Sequence, residues 1–261
     1  MLASLLPGFR ELRTPLAIGY LYALALYLLV GDKIPPRATA SQHLKPLYDV
    51  AHWLGKPATL AAGAFVVFLL GSVLEVSAAT LSRLIGALVG GVGTPNAMRP
   101  DARRLVWGVG GQLTLLSANR LSTYCRYKVM RNIPVIDGFD GLVVEARRRL
   151  VEDLPQLPTR LYTASKDMYG DYDRLVAEAD LRVNVGLAGA LLSCVMAHQV
   201  HMGWLLVIIP MVLLAYRGLV TIRKANDILV QAIITDLVQP PSFEEYVSGL
   251  GTGTPPNPGY L

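Results

Sequence analysis

Residues 175–195 read LVAEADLRVNVGLAGALLSCV. Glu178, Asp180 and Arg182, with Arg174 just upstream, run straight into an apolar segment with no Gly-Pro break. A charged helix that continues without interruption into apolar sequence is expected where a chain leaves water for a bilayer. The whole composition points the same way. The 261 residues are 52% hydrophobic and 16% charged, against about a quarter charged in soluble domains. Mean hydropathy is +0.41 and the formal net charge is +5. This modest excess of cations suits an anionic membrane surface as well as it suits nucleic acid.

A spanning helix needs about 20 largely apolar residues. Four stretches qualify: 15–31, 57–76, 183–197 (extendable upstream) and 203–220. Pro210 lies inside the fourth and is expected to kink it, which neighbouring helices tolerate in lipid. Tyr20, Tyr22, Tyr27, Trp53, Trp204 and Tyr216 are candidate interfacial anchors. The first stretch follows Arg10 and Arg13 and precedes Ala38-Thr39-Ala40, which mimics a signal-peptide cleavage site. That site lies beyond Lys33, Pro35, Pro36 and Arg37, too far past the apolar run, so an uncleaved helix is expected.

Lys and Arg placement gives an orientation. Residues 77–182 carry fifteen of them, and Arg217, Arg223 and Lys224 follow the last span. With Arg10 and Arg13, these place the amino and carboxyl termini and the middle region in the cytoplasm of a plasma-membrane protein. Four cations in the 31–57 loop (Lys33, Arg37, Lys45, Lys56) oppose this reading.

The expected fold is therefore an all-α integral membrane protein: four transmembrane helices with a cytoplasmic helical domain between the second and third. The expected divisions are residues 1–76, a transmembrane pair with an extracytoplasmic loop at 31–57; 77–164, a cytoplasmic helical region; 165–239, a helical hairpin of spans three and four with cytoplasmic extensions; and 240–261, a disordered tail rich in Gly, Pro and Thr. Within 77–164, helices are expected from Asp101 to Met130 and from Asp140 to about Leu154, the latter ended by Pro155 and Pro158. Residues 77–95 either extend the second span or lie along the interface.

The hairpin turns near Gln199–Met202, so facing positions should sum to about 400 given equal rise on both arms. Glu178 then lies level with Arg223, Arg174 with Asp227, and Arg182 with Gly218. These residues are expected to form ion pairs that set helix register.

Other candidates are weaker as motifs. Glu75 ends the second apolar run, and acids at membrane depth often mark ion paths. Arg147, Arg148, Arg149 and Arg217 could contact lipid headgroups. His198 and His201, three apart, are metal-ligand candidates but lack an acid or thiol beside them; no metal and no cofactor is expected. The glycine runs at 90–93 and 108–111 lack the Lys-Ser/Thr of a phosphate loop. No catalytic constellation is visible, and two cysteines, Cys125 and Cys194, give no disulfide framework.

The layout is similar to that of bestrophin-type channels, four spans with a large inner insertion, although their pore motifs have no match here. Gly63, Gly71, Gly186 and Gly189 would allow close helix contact. Three function classes follow. The first is a non-enzymatic anchor, sensor or effector, forming a homo-oligomer and binding a cytoplasmic protein partner. The second is an oligomeric channel; the third, least supported, is a lipid-acting enzyme. Nucleic acid is not expected as a partner.

Overall fold

A computed structural model describes residues 6–36, 39, 41–42, 45–82, 84, 113–133 and 139–251. Helices make up the regular structure of these residues, with no strand among them. They are α1 (Leu6–Val30), α2 (Lys45–Leu74), α3 (Leu115–Asn132), α4 (Phe139–Asp153), α5 (Leu157–Ala164), α6 (Lys166–Gln199), α7 (Leu205–Ile234) and α8 (Pro241–Gly251). The chain divides into two compact units, residues 1–78 with 179–218, and residues 79–178 with 219–261.

The first unit holds α1, almost all of the second candidate span, and residues 179–218 of the last two. Four segments are long and apolar enough to cross a bilayer: Leu12–Val30, Tyr48–Ser82, Lys166–Gln199 and Met202–Ile234. The shortest has 19 residues, which at 1.5 Å per residue spans about 28 Å, close to the hydrocarbon thickness. The outer face of α2 carries Leu60, 74% exposed, and Val73, 81% exposed, with Phe65 and Val66 between them. A contiguous apolar surface of this kind fits a lipid-facing helix rather than a water-facing one.

The expected loop at 31–57 is partly helical. A 3-10 turn occupies Gly31–Lys33, and residues from Lys45 already belong to α2. That helix breaks at Gly55, whose φ of 73° only glycine adopts without strain. Pro57 supplies the reason: it has no N–H to give and restricts the residue before it. The Thr59 hydroxyl donates to the Gly55 carbonyl at 2.9 Å and to that of Ala51 at 3.0 Å, holding the bend together.

Glycine sets the helix contacts of this unit. A Cβ on Gly71 would stand 1.8 Å from the Pro15 carbonyl oxygen, and one on Gly19 would stand 1.9 Å from that of Val67. So α1 and α2 meet backbone to backbone. On the α6–α7 pair, Gly186 abuts Met211 and Ala215, Gly189 abuts Met211, and Gly218 abuts Ala179 and Val183. These pairs follow the register expected of a hairpin turning near residue 200. The turn itself is fixed by His201, whose Nδ1 accepts from the Gly203 N–H at 2.9 Å. Gly63 has nothing within 4 Å.

The second unit has a core of its own. Leu121, Cys125 and Val129 recur every fourth residue of α3, and Phe139, Val143, Ala146 and Leu150 at three- and four-residue steps of α4. Both patterns put one helical stripe inward. Leu157 and Leu161 of α5, Leu229 and Ile233 of α7, and Phe243 and Val247 of α8 complete the cluster. Each fully buried Leu, Ile or Phe side chain here contributes roughly 1.5–3 kcal/mol of hydrophobic stabilisation.

Two expectations for this region change. The expected tail at 240–261 begins instead with a helix, α8, whose Phe243, Tyr246 and Val247 are buried. The helix expected from Asp140 to about Leu154 does stop at Asp153, just before Pro155; a 3-10 turn at Leu154–Gln156 then leads into α5, and Pro158 sits in its first turn, where a missing N–H costs nothing. The hairpin's second arm ends at Ile234 rather than 239, and Asp236 turns the chain with φ of 54°. The expected helix over 101–112, most of 77–95, both glycine runs and residues 252–261 lie outside the described residues.

Candidate functional site

A recurring device joins these elements. A carboxylate on one helix accepts hydrogen bonds from the first turn of another, where free N–H groups and the helix dipole favour negative charge. Asp153 at the end of α4 is 1% exposed. It accepts from the Ser242 N–H at 2.9 Å, the Ser242 hydroxyl at 2.7 Å and the Phe243 N–H at 3.2 Å, all at the start of α8. Asp227 of α7 accepts from the hydroxyl of Thr114, the N-cap of α3, at 2.9 Å, and from that of Ser117. Asp180 of α6 accepts from the Ala78 N–H at 2.6 Å, where helical structure resumes after α2.

The third case belongs to a break in an apolar segment. Residues 75–77 are not helical, although the segment Tyr48–Ser82 is apolar enough to span. Open backbone at membrane depth needs internal partners. Asn184, 2% exposed, supplies them. Its Oδ1 accepts from the Val76 N–H at 2.9 Å, and its Nδ2 donates to the Val76 carbonyl at 2.8 Å. The same Nδ2 donates to the Asp180 carbonyl at 2.8 Å, which fixes the side chain on its own helix. Glu75 sits at this break, exposed, and interacts electrostatically with Asp180. Two carboxylates thus share one helix break in the first unit. Asn184 was not singled out from sequence; the usable signal is an amide inside an otherwise apolar run.

The second feature lies wholly in the other unit. A groove of about 950 Å³ runs between α3 and the end of α7. Leu116, Ile228 and Ile234 line it, and Asn119, Arg120, Thr123, Tyr127, Arg131 and Gln231 edge it. A polar cluster also lines it. Lys128 Nζ lies 2.9 Å from Asp236 and 3.3 Å from Glu244, and the Tyr124 hydroxyl donates to Asp236 at 2.7 Å. Burial opposes the charge on Lys128, but its bond to Asp236 outweighs this and holds the ammonium above its ordinary pKa. Asp236 is lowered by its bonds to Lys128 and Tyr124. Burial, then the bond to Asp236, push the Tyr124 phenol up. The cluster is therefore fully ionised at Lys128 and Asp236 at neutral pH.

The residues singled out from sequence fall as follows. Arg174 lies 3.4 Å from Asp171, one turn back on α6, and Asp227 serves the start of α3. Glu178, Arg182 and Arg223 are half-buried, and neither they nor Arg217 is free. Arg147 donates to Ser122. Arg148 pairs with Glu152 at 3.0 Å, and Arg149 pairs with Glu145 at 3.1 Å and lies over the Tyr246 ring. His198 and His201 are exposed, and no group of three His, Cys, Asp or Glu is placed to hold a metal among the described residues. Cys125 is buried, which pushes its thiol up to about 12, far from the thiolate a nucleophile needs.

No family model matches the chain, and no curated protein or solved structure matches it significantly. What is established is the architecture: an all-helical chain with four candidate membrane-spanning helices.

Proposed function

We propose that the protein is a non-enzymatic, multi-pass protein of the plasma membrane, an oligomeric anchor or effector whose helical unit binds a protein partner in the cytoplasm. The observation that carries this is the contrast between the units. One holds the first two candidate spans and the facing parts of the last two, with a lipid-like face on α2; the other has a core of its own and an open groove. Lys and Arg placement supports a cytoplasmic position for the groove and both termini. The ion pairs expected around Glu178, Arg182 and Arg223 remain part of the proposal, as register-setting contacts between α6 and α7. A photocrosslinking residue at Thr123, used in living cells, tests the reading. A discrete protein adduct at the groove supports it; adducts with lipid alone, or none, refute it.

An oligomeric channel is the second reading, favoured by Glu75 beside Asp180 at the broken helix. Liposome flux that changes selectivity in Glu75→Gln would favour it over the anchor. Sealed liposomes would sink it.

A further inference from the structure

We infer that the α3–α7 groove receives an acidic amphipathic helix of the partner protein. The inference rests on the anchor reading above and names the chemistry of its partner.

The groove is an amphipathic face that the unit leaves open. Leu116 and Tyr127 are each 60% exposed on α3, although both types favour burial. They line the groove together with Ile228 and Ile234 of α7. A volume of about 950 Å³ stands at the upper end for small-molecule sites, which are typically enclosed clefts of about 300–1,000 Å³. This one is a trough between two helices, the shape that receives the apolar face of a third helix.

Charge selects the partner. The acids of the groove are already committed, Asp227 to Thr114 and Ser117, and Asp236 to Lys128 and Tyr124. Lys128 is likewise committed to Asp236 and Glu244. Arg120 and Arg131 are exposed, and neither makes a close ion pair among the described residues, although Arg131 adds to the positive field on Asp236. They stand eleven residues apart on α3, which is about 16 Å along the helix axis, three turns on one face. A docked helix with acids three turns apart meets both guanidiniums while its apolar residues cover the strip between them. Arginine suits this role because its planar fork pairs carboxylates in two bonds. Here the two arginines stand apart, with Thr123, Tyr124, Tyr127 and the acid-paired Lys128 between them on α3.

The test uses the full chain in nanodiscs of zwitterionic lipid. The probe is a fluorescent model peptide of about 18 residues, long enough to be helical, with Leu along one face and Glu eleven residues apart. A second peptide carries Lys in place of the Glu. The expected result is anisotropy-detected binding of the Glu peptide only. Arg120→Glu and Arg131→Glu each weaken it about tenfold or more, and the double reversal binds the Lys peptide instead. Lys166→Glu, the same charge change on an exposed site outside the groove, leaves binding unchanged.

Equal binding of both peptides, or binding indifferent to the reversals, overturns the inference. So does displacement of the peptide by vesicles containing anionic phospholipid, which assigns the groove to headgroups. A groove closed to the peptide in wild type, with the reversals turning an oligomer into a monomer, assigns it to a second copy and also overturns it. The anchor reading fails separately. If Thr123 crosslinks to a protein in cells but the reversals leave that adduct intact, the acidic helix is wrong and the anchor stands.

Discussion

Replacing Asp153 by Ala should detach α8 from the helical unit. The carboxylate is 1% exposed and accepts three hydrogen bonds from Ser242 and Phe243. Without it the Ser242 hydroxyl can turn elsewhere. The Phe243 N–H cannot, because Phe243 is fully buried. Leaving one such donor unsatisfied costs about 1–3 kcal/mol. Loss of the cap adds about 1 kcal/mol, and loss of a negative charge at the helix start adds about 0.3–1 kcal/mol. The sum is roughly 2–5 kcal/mol in the docking of α8. At tenfold per 1.4 kcal/mol, amides of α8 should exchange roughly thirty to several thousand times faster. Hydrogen–deuterium exchange on the full chain in nanodiscs reads this directly, with peptides of α2 as an internal reference. Asp153→Asn keeps one acceptor and should fall between. Exchange of residues 241–251 that stays within threefold of wild type in Asp153→Ala would refute the reasoning.

Other outcomes follow from the same contacts. Gly71→Ala should lower thermal stability in detergent by the roughly 1–3 kcal/mol of an overpacked site, because its Cβ meets the Pro15 backbone, while Gly63→Ala should be silent. If the two variants melt alike, the α1–α2 contact is wrong. Asn184→Leu removes both bonds to Val76; at about 0.6–1.7 kcal/mol per bond in membrane proteins, it should loosen residues 75–77, read as faster labelling of a Val76→Cys probe. The Lys128–Asp236 pair has a wide pH window. Asp236 is lowered, so its contribution is present above the ordinary carboxylate value of about 3.9 and is lost as pH falls through the lowered value. Lys128 is raised, so its contribution is present below about 10.4 and is lost as pH rises through the raised value. The stability difference between wild type and Lys128→Met should therefore be flat between those limits; a change near neutrality would count against the pair.

Much of the membrane part was legible because it depends on local features. Apolar length marks the spans, and one short turn sets the α6–α7 register, so the facing glycines could be anticipated. Which glycine serves α1 could not: Gly63 and Gly71 look alike in sequence, and only packing makes the second indispensable. The prolines misled for a similar reason. Pro155 does follow the end of α4, but Pro158 and Pro241, also read as stops, stand in the first turns of new helices, a place to which proline is equally suited. What starts α8 is a cap from Asp153, 89 residues earlier in the chain, and no local window contains it. The charges of the opening stretch also divide. Asp180 and Asn184 look outward from α6 to the broken end of α2, a use that the hairpin register alone does not suggest. The α3–α7 groove depends on two segments a hundred residues apart and was not visible at all.

The central claim is the proposed orientation, with the α3–α7 groove on the cytoplasmic side of the membrane. Thiol labelling tests it most directly. In a chain with Cys194→Ser, the remaining Cys125 is buried and unreactive, so Asn119→Cys and Met202→Cys, both at exposed positions, can be probed singly with a membrane-impermeant maleimide. Asn119→Cys should label only in inverted membrane vesicles and Met202→Cys only in intact cells. Labelling of both from one side, or the reverse pattern, would contradict the account.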